Sequence, residues 1–289
     1  MALSVPGDRV QQFYDDNTSL FLSLGQGTEG TIHRAVWGPG VKTRAQAMAY
    51  VDSLLMARLR GIVADAGEVL RVADLGCGVC ASLCRMAKHL PMKGLGVTIS
   101  DAQVELSKER IREQGLAGSV ECIKGDFCSL PSPLEPVDLA FSIEAFVHAP
   151  SGADYFRECA RLVRPGGYLV VCDDFITDPQ LRSGHRASSW IERFRQGWVA
   201  SNVRTEREAS ELAANAGFTH VETLDLTPHL EIRRPRDYAA GVLMRGLGWL
   251  KVSNNYWLML YGGHALQVCL KRGWIKHLFV VWRRDEAAA

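Results

Sequence analysis

Val72-Ala73-Asp74-Leu75-Gly76-Cys77-Gly78 is the stretch whose reading decides the fold: an apolar strand ends in an acid, and a glycine turn then opens a helix. Gly76 and Gly78 let the backbone turn sharply and come close to a ligand with no Cβ in the way. Asp74 falls at the carboxyl end of a central strand, where it accepts hydrogen bonds or offsets a positive charge. The dinucleotide fingerprint G-x-G-x-x-G does not fit, because Ala81 or Ser82 stands where its third glycine is required.

Outward from this turn, short apolar runs alternate with helical segments, which is the pattern of a parallel sheet with crossover helices. Strands are expected at 71–74, 94–98, 120–124, 139–143 and 168–173, then at 220–226 and 278–282. Ser100-Asp101-Ala102-Gln103 opens one helix as a capping box, and Gly115 is suited to stop it. Arg164-Pro165-Gly166-Gly167 is expected to be a tight turn feeding the fifth strand. Further helices are expected over 10–24, 43–59, 187–200 and 205–216. The fold class is therefore α/β, a Rossmann-like doubly wound seven-stranded sheet with a helical cap. Residues 1–62 are expected to form the N-terminal cap or lid, and 63–289 the main domain, with cap insertions at about 178–205 and 235–275.

Asp74-Leu75-Gly76-Cys77-Gly78 resembles the first motif of class I S-adenosylmethionine-dependent methyltransferases, although members often carry a further glycine where this chain has Cys80. Later landmarks follow in the family's order. Most members have an acid after the second strand. Here Thr98-Ile99-Ser100 with Gln103 is similar instead to the sterol, tocopherol and prenyl-diphosphate C-methyltransferase branch, which implies that Thr98, Ser100 and Gln103 replace the carboxylate's bonds to the cofactor ribose. The capping box explains the same three residues without a ligand. The resemblance places Asp126 on the adenine amino group and Phe127 against the ring, while a turn cap and plain core filling are the bland alternatives. It also puts Glu144 where the prenyl-diphosphate enzymes keep the base that removes a proton after methylation. His148 suits an oxygen or nitrogen acceptor better. Positioning alone is an equal reading for Glu144, and a loop residue the commoner one for His148.

The implied cofactor is S-adenosyl-L-methionine, and the implied reaction is methyl transfer to a small hydrophobic molecule, with an isoprenoid of secondary metabolism as the first expectation. O- or N-methylation of an aromatic natural product and a non-catalytic cofactor-binding subunit are the rivals. Phe13, Tyr14, Trp37, Trp190 and Trp198 are candidates to wall the acceptor pocket, with core packing as their alternative. Arg233 and Arg234 match diphosphate oxygens in geometry, and a solvated turn is their commoner meaning.

Composition narrows the partners. Across 289 residues, 33 basic and 32 acidic side chains leave a net charge of +1, which gives no electrostatic reason to expect nucleic acid or an anionic membrane. The start lacks a signal peptide's basic and apolar regions, and no run reaches the roughly 20 apolar residues of a membrane span, so the expectation is a cytoplasmic protein. The eight cysteines are expected to be reduced thiols, and no metal is expected, because Cys77, Cys80 and Cys84 lack a second pair nearby. The stretch 243–250 is apolar enough to pair two chains, with core burial equally good.

Overall fold

The computed structural model describes residues 10–15, 18, 33–66, 69–183, 186–232 and 255–286. Residues 16–17 and 19–24 of the first expected helix, Arg233, Arg234 and the stretch 243–250 lie outside the described residues.

Seven strands form one sheet in the order β3-β2-β1-β4-β5-β7-β6, with β1 Leu70–Leu75, β2 Met92–Thr98, β3 Val120–Lys124, β4 Val137–Ile143, β5 Val163–Ile176, β6 Phe218–Asp225 and β7 Ile275–Arg284. β1 to β5 pair in parallel, and β7 inserts antiparallel between β5 and β6. Both faces of the inner strands are covered, which is why they read as nearly unbroken apolar runs rather than as alternating ones. β6 stands at the edge of the sheet and exposes Thr219, His220, Val221, Thr223 and Asp225.

The two-residue period sorts the core. Val72, Leu139, Phe141, Val170, Cys172, Phe279 and Val281 pack on one face with Val51, Leu55 and Leu59 of the helix Tyr50–Ala66. Ala73, Leu75, Ala140, Val171, Val280 and Trp282 turn to the other face, against Tyr155, Phe156 and Cys159 of the helix Gly152–Leu162 and Ala209 and Ala213 of Glu206–Asn215. Burying each large apolar side chain contributes about 1.5–3 kcal/mol, so both faces are needed to hold a sheet this wide.

Local signals act largely as expected. Thr205 caps Glu206–Asn215 through a full capping box with Glu208. Ser100 caps Asp101–Glu113 by accepting from the Gln103 N–H, but the Gln103 side chain turns away from the cap, so only half of the expected box forms. Arg164–Gly167 does turn, as a bulge inside β5: Val163 pairs with Val137 and Tyr168 with Leu139, and Arg164 bonds the intervening Asp138 at 2.6 Å. The helix expected over 43–59 is two, Arg44–Met48 and Tyr50–Ala66, broken at Ala49.

Above the carboxyl ends of the strands, the helices Arg186–Trp198 and Asn255–Lys271 pack on each other around Ile191, Phe194, Ala265 and Cys269. They touch at two glycines. A Cβ at Gly262 would lie 2.8 Å from the Gly197 Cα, so the close crossing depends on the missing side chain.

Candidate active site

The ends of five parallel strands and this helix pair enclose a cavity of about 540 Å³. Such sheets bind ligands at that edge, where the helix on one side of the strand order gives way to the other.

One half is built by the glycine turn. Gly76 has φ +92° and Gly78 φ +54°, conformations that favour glycine, and a Cβ on Gly76 would fall 2.4 Å from that of Ala145. Cys80, where related motifs carry glycine, is itself left-handed at φ +56°, so the turn keeps the glycine geometry without the glycine. Asp74 lies buried behind the turn rather than on the cavity wall; burial first, then the nearby Asp52, pushes its carboxyl well above the usual range.

Thr98, Gln103, Asp126 and Phe127 all reach the wall of this half. Thr98 donates its hydroxyl to Gln103 Oε1 at 2.6 Å, and Gln103 Nε2 donates to Thr18 at 3.1 Å. Ser100 does not reach the wall; it is fully buried and bonded to Asp15. The three residues thus start a helix and tie the N-terminal segment to the sheet, while two of them also border the cavity. Asp126 Oδ1 accepts from the Cys128 N–H at 2.8 Å, so it caps its turn and also faces the cavity. Phe127 sets one edge against Tyr155, with centroids 5.5 Å apart, and lines the wall as well.

The other half joins an apolar wall to a charged floor. Phe194, Trp198, Leu230, Met259 and Leu266 supply the wall. On the floor, Arg34 sends its backbone N–H to Glu144 Oε1 at 2.9 Å and brings its Nε within 3.2 Å of the same oxygen. Its Nη2 donates to Asp174 Oδ2 at 2.9 Å and lies 2.9 Å from His277 Nδ1. Burial works to raise the Glu144 carboxyl, but Arg34, His277 and His33 together outweigh it and hold it below its ordinary value. Asp174 is lowered in the same way: burial opposes, and Arg34 and His277 prevail. Asp173 receives the Val147 and Asp174 N–H groups, yet burial and then the charge on Asp174 push it up to about 8.

His148 accepts from the Tyr14 hydroxyl at Nε2, 2.9 Å, because its Nδ1 lies 3.4 Å from the Val199 carbonyl, which can only accept. Burial lowers it to about 4, so the ring is neutral at physiological pH.

Of the expected pocket residues, Tyr14 and Trp198 line the cavity directly. Phe13 stands behind them against Trp198, at 6.1 Å between centroids. Trp190 packs edge-on to His264, a wall residue, and Trp37 donates to Glu231, another, at 2.7 Å. Sequence reasoning missed Arg34, Asp173, Asp174 and His277. The available signal was charge inside apolar runs: two adjacent acids interrupt β5 and a histidine interrupts β7.

The seven-stranded mixed sheet with its flanking helices matches the Rossmann-like methyltransferase fold. Residues 73–171 match the family model described as a methyltransferase domain. Its sequence is similar to 24-methylenesterol C-methyltransferase 2 of Oryza sativa subsp. japonica, 33% identical over 160 residues that cover 54% of this chain and 43% of that enzyme. Squalene methyltransferase 2 of Botryococcus braunii is 24% identical over 86% of this chain and 71% of its own. The chain thus spans less than half of the rice enzyme it matches. Among solved structures, geranyl diphosphate C-methyltransferase from Streptomyces coelicolor A3(2), holding Mg2+, geranyl diphosphate and S-adenosyl-L-homocysteine, aligns with a TM-score of 0.69 at 16% identity, over 98% of this chain and 100% of its own. The cyclopropane synthase MmaA2 from Mycobacterium tuberculosis aligns at 0.76 and 18%, over 98% and 100%. At these identities the structural likenesses speak to the fold. In the described residues no helix is long and apolar enough to cross a membrane.

Proposed function

We propose that this protein methylates carbon on a small, largely apolar acceptor of isoprenoid type, using S-adenosyl-L-methionine. The observation that carries the reading is the composition of the second half of the cavity: an apolar wall over an ionised, clamped carboxylate, Glu144. When bound, the cofactor supplies an electrophilic methyl group on a sulfonium.

The chain's own residues do the rest. Gly76 and Gly78 bring backbone close to the nucleoside, and the oxygen of Asp126 not used by Cys128 is free to accept from the adenine amine. Phe127 offers a ring to the purine, and Thr98 and Gln103 stand at the ribose side. The fit to a cationic nucleoside rests on Glu144 and Asp174, held as carboxylates at the cavity. Phe194, Trp198 and Met259 hold the acceptor and exclude water, so alignment provides most of the rate. Glu144 takes the proton released when carbon is methylated. His148 is a poor base, since its lone pair already receives Tyr14.

In this reading, residues 1–62 serve as lid and the helices near 186–198 and 255–271 as cap, and Arg233 and Arg234 pair with an anionic head where the acceptor has one. The reading also places the enzyme in the cytoplasm and in secondary metabolism. The test is methyl transfer from labelled cofactor to a panel of squalene, a sterol, geranyl diphosphate, a phenol and an amine, with the new carbon located by NMR. Label on an alkene carbon supports the proposal. Label only on oxygen or nitrogen, or cofactor binding with no transfer to any acceptor, overturns it.

A further inference from the structure

Behind the glycine turn three thiols converge. Cys77 in the turn, Cys80 at the start of the helix Ala81–Ala87 and Cys122 in β3 are all buried, with their sulfur atoms all within 4.8 Å of one another. Cys77 Sγ and Cys122 Sγ are 3.8 Å apart. Sulfurs bound to one tetrahedral zinc at about 2.3 Å stand about 3.8 Å from each other, so this separation already matches one edge of such a site.

The room for the thiols comes from a glycine on the strand between them. A Cβ at Gly96 would lie 2.4 Å from Cys80 Sγ and 2.9 Å from Cys77 Sγ. The three thiols come from two segments, the turn that holds Cys77 and Cys80 and the strand that holds Cys122, and Cys77 also borders the cavity, which supplies an entry path.

We propose that Cys77, Cys80 and Cys122 form a binding site for a thiophilic divalent ion of the zinc type. Three thiols release three protons to solvent as three metal–sulfur bonds form, with no change of oxidation state. Occupancy ties the glycine turn to β3 through the metal. The inference does not depend on the methyl-transfer reading, since it concerns the thiols alone.

The full chain, reduced and freed of metal by a chelator, is titrated with cadmium-113 ion. Expected are one ion per chain, a thiolate-to-metal charge-transfer band, a cadmium resonance in the range of three-sulfur sites, and displacement by zinc. Cys122→Ala should weaken cadmium binding at least about 100-fold, since outer-shell partners alone are worth about 10–100-fold. Cys159→Ala, on the opposite face of the sheet, should leave it unchanged. A band that does not saturate at one equivalent, a resonance of a site with fewer sulfurs, or full affinity in Cys122→Ala overturns the site and leaves the thiols as packing. If Cys122→Ala does not fold, stoichiometry and resonance on the unaltered chain decide.

Discussion

Arg34 grips a single oxygen of Glu144 twice, by its backbone N–H at 2.9 Å and by its guanidinium at 3.2 Å, across 110 residues of sequence. Glu144 itself sits at φ +53°, a strained conformation for a residue with a side chain, so the surrounding structure must hold it there. Glu144 also borders the cavity. If Glu144 takes the product proton, Glu144→Gln keeps the shape and loses the base. Turnover should then fall by about 10²-fold or more while cofactor affinity changes little. Single-turnover kinetics beside calorimetry separate the two, and unimpaired turnover would remove Glu144 from the reaction.

His148 gives the chain a pH dependence of known sign. Burial depresses the folded-state value from 6.5 to about 4, so the folded protein binds fewer protons than the unfolded chain between those limits. The associated stability is complete above about pH 6.5 and is lost as the pH falls through about 4, in total of order 3 kcal/mol. Asp173 runs the other way: its value near 8 makes the folded state hold a proton that the unfolded chain gives up, so stability falls as pH rises from about 4 to 8. The comparison of wild type with His148→Gln isolates the histidine. The variant should gain on the wild type in denaturant melts as pH drops from 7 to 4.5, whereas a constant gap between them would mean that the ring is not held neutral.

Gly76→Ala tests the turn. The substitution combines φ +92° with a Cβ placed 2.4 Å from Ala145 Cβ, which is not the far end of a flexible side chain. Strain of this kind costs about 1–3 kcal/mol, and more where backbone must shift. Thermal unfolding should show a clear loss of stability, and affinity for the demethylated cofactor should fall beyond what the lowered stability explains. Wild-type behaviour in both would show that the turn has room that its geometry denies.

How far the chain could be read in advance follows from the range of each cause. Strand runs, the Thr205 cap and the Gly76 turn are set by neighbours in sequence, and they were legible. Cys80 was readable only as a departure from a glycine, because its left-handed backbone at φ +56° is imposed by the fold around it. Gln103 looked like half of a capping box; its side chain goes to Thr98 and Thr18 because a buried amide takes the partner that tertiary packing brings. Arg34, Asp174 and His277 come from three distant segments, and no local pattern announces that they meet. What the sequence did offer was the cost of burying charge in apolar strands, which is tolerated only where partners arrive from elsewhere.

Asp126 has two tasks in the geometry, and a graded pair of variants separates them. Oδ1 secures the turn through the Cys128 N–H, while the carboxylate also borders the cavity beside Phe127. Asn keeps an oxygen for the turn but loses the negative charge; Ala loses both. A hydrogen bond to a charged acceptor is worth about 1.5–3 kcal/mol, so Asp126→Asn should weaken the cofactor by about 10-fold or more with little change in stability. Asp126→Ala should do the same and also lower the melting temperature, by the loss of one turn-capping bond. Calorimetry with S-adenosylhomocysteine beside thermal melts reads both effects. Unchanged affinity in both variants, with a stability loss confined to Ala, would reduce Asp126 to the capping of its own loop, and would move the recognition of the base onto Phe127 and the backbone of the third strand's end.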